Sequence, residues 1–351
     1  MFNPKYKLTN SIVQRLTAIA ESKAVIERAK ILPQQELKLR RQVLIRIMHS
    51  STAIEGNGLG INQIEALLAR KKIDAPQRDI YEVQNYLKVL KYIEKIVKIK
   101  QPITEKVLLN IHKLVTDKTL SREQCGHYRR SRVYVVKRRP GFPDEIIYTG
   151  PEANKVPELC KNLFGWISEG EKKEINPIIA AGVTHQEIAA IHPFADGNGR
   201  TARALATLIL YKRGYNFRHL FALEDYYNRD RQSYYNAINI GENYKERRTD
   251  FTPWLEYFVK GFKEEIDNVR NMVVVLSRRK INKNIGSKIF LSKEQMEILD
   301  FLDQVGKITV NDVMDILKRP KRTAQLHLQK LKKLGMIKQV KKGPASAYMT
   351  K

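Results

Sequence analysis

The chain is 351 residues long, with 42% hydrophobic residues and a formal charge of +27. Such a length allows two or three packed domains with real cores, and such a charge draws acidic partners such as nucleic acid or ATP. No apolar run reaches the ~20 residues of a membrane span, the opening MFNPKYKLTN lacks the basic-then-apolar order of a signal peptide, and Cys125 and Cys160 have no paired spacing that would make a disulfide framework or a zinc site, so a cytoplasmic protein without a membrane partner is expected.

In chain order, residues 8–68 read as helices with apolar positions three and four apart, stopped by Gly56, Gly58 and Gly60 and restarted at Asn62. Ser51-Thr52-Ala53-Ile54-Glu55-Gly56 lies at that stop. The helical pattern resumes after Ala75 and continues past Pro102. Then β-branched and aromatic residues from Arg132 to Val136, a turn at Pro140, Gly141 and Pro143, and Ile146-Ile147-Tyr148 read as a β-hairpin. Asn176-Pro177 opens a helix through Ile191. Within it His185 reads as a hydrogen-bonded core histidine, because HQEIAAIH is not the HExxH of a zinc helix. A further helix covers Arg200–Lys212, the pair Tyr234-Tyr235 follows, and Asp250-Phe251-Thr252-Pro253-Trp254 begins another helix. Residues 279–288 are basic and polar, as in a linker. From Ile281 onward 15 Lys and Arg stand against six Asp and Glu. Three helices followed by a β-ribbon in this stretch is the order of a winged helix. Its third helix presents Arg319, Lys321, Arg322, Thr323, Gln325 and His327, groups that suit a DNA-facing surface, although the same fold also serves protein contacts.

The most informative stretch is His192-Pro193-Phe194-Ala195-Asp196-Gly197-Asn198-Gly199-Arg200-Thr201-Ala202-Arg203. Two glycines allow a tight loop with free amides, and the loop opens a helix whose positive end faces it. Two arginines one turn apart add full charges to those partial ones, which makes an anion site suited to phosphate. His192 can take a proton near neutral pH, and Asp196 is a hard oxygen ligand suited to Mg²⁺ beside phosphates.

This stretch matches at each specified position the signature H-x-F-x-[D/E]-G-N-G-R-x-x-R, and so resembles the Fic domains, which typically move AMP from ATP to a protein hydroxyl. The resemblance implies that His192 is the catalytic base, that Asp196 holds Mg²⁺, and that Phe194, Gly197, Asn198, Gly199, Arg200 and Arg203 form the nucleotide site, with Phe194 anchoring the loop from beneath. It also implies that Tyr234 and Tyr235 flank the base. Ser51, Glu55 and Gly56 match the family's inhibitory motif [S/T]-x-x-x-E-[G/N], in which Glu55 would pair with Arg203 and misplace the triphosphate. The hairpin at residues 132–149 resembles the family's flap, where Val133, Tyr134, Val135 and Val136 would align a target segment by strand addition.

The expected architecture is mainly α: a Fic-type helical domain with a β-hairpin flap, plus a C-terminal winged helix. Its boundaries are 1–75 for the N-terminal helical region, 76–278 for the catalytic domain, 279–288 for the linker and 289–351 for the winged helix. The expected function is an adenylyltransferase using ATP and Mg²⁺, braked by Glu55 and acting on a Ser, Thr or Tyr hydroxyl of a protein, including its own. The resemblance leaves open whether Glu55 also helps remove AMP, and it carries homodimerisation as a family-level expectation. Two alternatives stand: an ATP-sensing DNA-binding regulator, and a transferase of another nucleotide or of phosphocholine.

Overall fold

Helical periodicity interrupted by Gly and Pro yields a mainly α-helical chain, and the computed structural model describes its residues 2–137, 143, 145–278, 291–341 and 346–350. The helices are α1 (Asn10–Arg28), α2 (Pro33–Ala53), α3 (Ile61–Leu68), α4 (Gln77–Lys98), α5 (Glu105–Val115), α6 (Val156–Lys172), α7 (Pro177–Ile191), α8 (Asn198–Lys212), α9 (Leu223–Arg229), α10 (Arg231–Ile238), α11 (Thr252–Arg278), α12 (Lys293–Val305), α13 (Val310–Leu317) and α14 (Lys321–Lys333). The strands are β1 (Tyr134–Lys137), β2 (Glu145–Thr149), β3 (Ile308–Thr309), β4 (Ile337–Lys341) and β5 (Ala347–Thr350). The expected linker at 279–288 and the hairpin turn at Pro140 and Gly141 lie outside the described residues. Among the described residues no helix is long and apolar enough to cross a membrane.

Two compact units emerge, one of residues 1–27 and 42–271, the other of residues 28–41 and 272–351. The first is centred on α7, which is buried on nearly every side, polar residues included. A helix in that position must hydrogen-bond its polar groups internally. His185 does so through Nε2, 3.0 Å from the Tyr234 hydroxyl, with its ring edge-on to Trp254. Gly182 is needed for close approach: a Cβ there would lie 2.8 Å from Leu255, while the Trp254 indole N–H donates to the Gly182 carbonyl at 2.7 Å. α8 packs along α7 and is itself almost wholly buried.

β1 and β2 pair antiparallel, with Tyr134 opposite Thr149 and a register shift between Val135 and Val136. A lone hairpin is marginal in water, and this one is tied down at its base. The Tyr148 hydroxyl donates to the Ala190 carbonyl at 2.7 Å, the Thr149 N–H to Glu242 O at 2.8 Å, and the Tyr244 N–H to Thr149 O at 3.0 Å.

The second unit gathers α12, α13 and α14 around Ile298, Leu302, Val313, Leu328 and Leu331, with Leu37 of α2 packed against them. Its sheet has the order β3-β5-β4, all antiparallel. Capping boxes start two of its helices, Ser292 with Gln295 and Thr309 with Asp312, each satisfying amides that a helix N-terminus leaves open.

Candidate functional site

The loop between α7 and α8 is shaped by two left-handed residues. His192 ends α7 at φ 49°, ψ 58°, and Gly197 starts α8 at φ 76°. Gly197 tolerates no side chain, since a Cβ would lie 2.9 Å from Thr116 and 3.1 Å from Val115. Asn198 closes the turn: its amide donates to the Phe194 carbonyl and accepts from the Phe194 N–H, both at 2.9 Å. Beneath the loop the Phe194 ring is fully buried and stacks on His112, centroids 3.7 Å apart and planes 3° apart. The His112 Nε2–H donates to the Asp196 carbonyl at 3.0 Å, while Nδ1 accepts the Gly126 N–H at 2.9 Å. Both ring nitrogens are thus used by a neutral imidazole, whose pKa burial pushes down to about 4.

Arg129 holds the loop from its other end. Its guanidinium donates to the carbonyls of His192 at 2.8 Å, Ser131 at 2.8 Å and Pro151 at 2.5 Å, and its own N–H donates to the Pro193 carbonyl at 3.0 Å. One buried cation therefore joins the root of the hairpin to the residue that must be aimed. His192 itself faces Ala189 O through Nδ1 at 3.1 Å. A carbonyl only accepts, so Nδ1 carries the proton and Nε2 keeps its lone pair. Burial lowers the His192 pKa, which keeps the ring neutral and able to accept a proton.

On the opposite side stands the Ser51–Gly56 segment. Arg203 donates through Nη2 to Glu55 Oε1 at 2.7 Å and to the Ser51 carbonyl at 2.8 Å, and through Nε to Ser51 Oγ at 3.1 Å. Gly56, at φ 94°, turns the chain away. The Glu55 carboxylate lies over the first turn of α8, so close that a Cβ on Gly199 would be 2.2 Å from Oε1. The first amides of a helix have no acceptor within it, and a carboxylate there occupies the place that suits a phosphate.

A second carboxylate, Glu82 of α4, is buried at 5% exposure and lies 3.2 Å from Arg200 Nη1. It also pairs with Arg78 Nε at 3.2 Å and accepts from Asn57 Nδ2 at 2.9 Å. Asp196, by contrast, is partly open. Its Oδ1 accepts the Gly197 N–H at 2.5 Å and its Oδ2 accepts from Arg78 Nη2 at 2.7 Å. One accessible hard oxygen beside free helix amides fits a Mg²⁺ ion that arrives with phosphates, a cation bound by one or two carboxylates rather than by a protein cage. No group of three or more His, Cys, Asp and Glu that could hold a metal occurs among the described residues.

The structure thus brings Ser51, Glu55, Gly56, His192, Asp196, Gly197, Gly199 and Arg203 together, and it places the other expected site residues as follows. Phe194 supports the loop from the core and has no face open to a nucleotide. The Asn198 amide is spent on the Phe194 backbone, and the Arg200 guanidinium, 1% exposed, faces Glu82. Tyr234 is a core residue, 2% exposed and stacked on Tyr227 at 4.6 Å, so it has no surface to offer a base. Tyr235 remains 43% exposed, and its hydroxyl donates to the Ile54 carbonyl at 2.7 Å, beside Glu55. Val133, Tyr134, Val135 and Val136 lie on or just before β1, with Tyr134 47% exposed.

Sequence reasoning missed Arg78, Glu82, His112 and Arg129. His112 and Glu82 sit at ordinary helical positions, and the Gly126-His127-Tyr128-Arg129 run carried no spacing that marked its arginine as a staple. A cavity of about 860 Å³ opens beside Gly126, among Lys106, Lys113, Arg122 and Cys125, and none of its lining residues belongs to the loop.

Residues 102–210 match the sequence profile of the Fic/DOC family. The protein adenylyltransferase Fic of Drosophila grimshawi is 29% identical over 202 residues, covering 57% of this chain and 38% of that protein. The protein of the same name from Drosophila melanogaster is also 29% identical over 202 residues, 57% of this chain and 37% of its own. The chain therefore spans well under half the length of these curated relatives. Among solved structures, a Fic family protein from Desulfovibrio desulfuricans has a TM-score of 0.64 at 24% identity, over 100% of this chain and 98% of that one. Fic-1 from C. elegans has a TM-score of 0.59 at 22% identity, over 75% and 73%. At these identities the likeness is one of fold.

Proposed function

The chain carries a Fic domain, and from that premise we propose that it is a protein adenylyltransferase which moves AMP from ATP to a protein hydroxyl and is held back by Glu55. The observation that carries this reading is the Glu55 carboxylate seated over Gly199 and bound to Arg203, an anion resting where phosphate belongs, across the loop from a neutral histidine. The curated relatives' name, protein adenylyltransferase Fic, supports the same chemistry.

In the reaction, His192 Nε2 takes the proton of a Ser, Thr or Tyr hydroxyl as its oxygen attacks the α-phosphorus of ATP. The bond from that phosphorus to the bridging oxygen breaks and pyrophosphate leaves. The first amides of α8, those of Gly199 among them, receive phosphate oxygens, and Arg203 binds the distal phosphate once Glu55 has moved. Asp196 would hold Mg²⁺, whose charge eases departure of the pyrophosphate. His112 and Arg129 keep the loop in shape, and the edge of β1 offers backbone groups to the target segment.

The test is protein labelling from ATP labelled at the α-phosphate. Glu55→Gly should raise self-modification by at least tenfold, and His192→Ala in that background should remove it while nucleotide binding persists. Labelling at the Glu55→Gly rate after loss of His192 would refute the mechanism. Running other nucleotides and CDP-choline in the same assay separates AMP transfer from transfer of UMP or phosphocholine. Incubating AMP-modified protein with the parent chain asks whether Glu55 also orients water to remove AMP.

A second reading concerns the C-terminal unit. α14 carries Lys321, Arg322, Lys330, Lys332 and Lys333 and no acidic residue, and Leu326 on it is 58% exposed. With the α12–α13–α14 and β4–β5 order, this favours a winged helix whose third helix meets DNA. A salt-dependent mobility shift lost on Lys321→Glu with Arg322→Glu would support it, and a shift left unchanged by that double substitution would refute it.

A further inference from the structure

The two oxygens of Asp196 have different neighbours. Oδ1 is turned inward, onto the Gly197 N–H at 2.5 Å and toward Nη2 of the buried Arg200 at 3.6 Å, which leaves Oδ2 as the oxygen that faces outward. That outward oxygen is the one Arg78 holds, at 2.7 Å from Nη2. Arg78 stands at the second position of α4, and its Nε lies 3.2 Å from Glu82 Oε1, one helical turn further on. Glu82 is itself anchored by Arg200 and Asn57, so it gives Arg78 a fixed pivot while the end of the guanidinium reaches across to the loop.

We propose that Arg78 is the resident counter-cation of Asp196 and competes with a divalent metal ion for its outward oxygen. This rests on the reading of Asp196 as the metal carboxylate. A guanidinium and a divalent cation on one carboxylate oxygen repel each other at close range, so the metal binds more weakly while Arg78 stays. The contact is made to be displaced. The Arg78 side chain is 60% exposed and that of Asp196 is 39% exposed, and ion pairs this open are held weakly. On leaving Oδ2, Arg78 keeps its Glu82 contact. The site thus exchanges one cation for another, and its metal affinity is set from α4. Glu55 pairs with Arg203 and takes no part in this pair.

Mn²⁺ binding, followed by the electron paramagnetic resonance of the free ion, tests the proposal directly. The Glu55→Gly chain is titrated with Mn²⁺ in the presence of α,β-methylene-ATP, with Arg78→Ala and Arg78→Met compared against it. Both substitutions should tighten Mn²⁺ binding at least fivefold, while affinity for the metal-free nucleotide changes less than twofold. Unchanged or weaker Mn²⁺ binding in either folded variant, with the thermal transition retained, would overturn the competition and make Arg78 a support for Asp196. Asp196→Ala separates the two layers. It should abolish the site with or without Arg78, and Mn²⁺ binding that survives this change would overturn the assignment of the metal to Asp196 and the proposal with it.

Discussion

α8 carries two buried arginines, Arg200 and Arg203, and each meets a glutamate from elsewhere in the fold, yet the two pairs are built differently. Glu82 comes from the interior of α4, is 5% exposed, and shares itself among Arg200, Arg78 and Asn57. Glu55 comes from the hydrogen-bonded turn that follows α2, its side chain is 32% exposed, and it meets Arg203 alone among the ion pairs of the described residues. The first arrangement is a fixture, because removing one partner strands charge in a buried site. The second is held less firmly, because the carboxylate is partly open to solvent. Similar chemistry therefore gives a structural strut on one turn of the helix and, under the proposed function, a brake on the next, and the difference lies in burial and in the number of partners.

That contrast can be broken most sharply at Glu82. Glu82→Ala should cost about 3–5 kcal/mol in denaturant unfolding, the usual loss when a buried pair is left half made, whereas Glu55→Ala should cost less, because its carboxylate is partly open to solvent and Arg203 keeps its two bonds to Ser51. Equal losses would erase the distinction. Next in size is the pH profile of AMP transfer by the Glu55→Gly chain under the proposed function. Burial lowers the His192 pKa and the Glu55 charge raises it, so the acid limb of the Glu55→Gly rate should lie below pH 6.5 and below that of the parent's residual rate. A limb above pH 6.5 would show that His192 is not the group titrating.

The smallest effect concerns Glu224, which lies within electrostatic reach of Arg203 and accepts from the Tyr86 hydroxyl at 3.1 Å. Burial pushes its carboxyl from the ordinary 4.5 up to about 7. A raised acid binds more protons folded than unfolded, so its stabilising contribution is full below pH 4.5 and is lost as pH rises through about 7. The parent should therefore lose thermal stability relative to Glu224→Gln across that interval, and a constant difference between the two would show that Glu224 does not titrate there.

Much of the site was legible in the chain because its chemistry is local. His192, Asp196, the two glycines and the helix they open are contiguous, so their spacing states the loop, and α7 and α8 fall within two residues of the expected spans. The inhibitory motif could be named from its own residues, and the hairpin from its β-branched run and its turn. What misled was the assumption that a polar or aromatic residue near an active loop faces the ligand. Tyr234 turns into the core, and Asn198 and Arg200 are spent on the fold, while Phe194 anchors the loop from beneath as expected.

The sequence by itself determined a mainly helical chain and the tight glycine-bearing bend that opens α8 beside His192, because each follows from propensity and spacing within a few residues. Only the tertiary structure decided that Glu55 lies on Gly199, that Glu82 and Arg78 reach the loop from α4, and that His112 and Arg129 clamp it from beneath and behind. Those contacts join residues far apart in the chain. Their energies depend on burial and on which oxygen meets which nitrogen, and neither is written in local order.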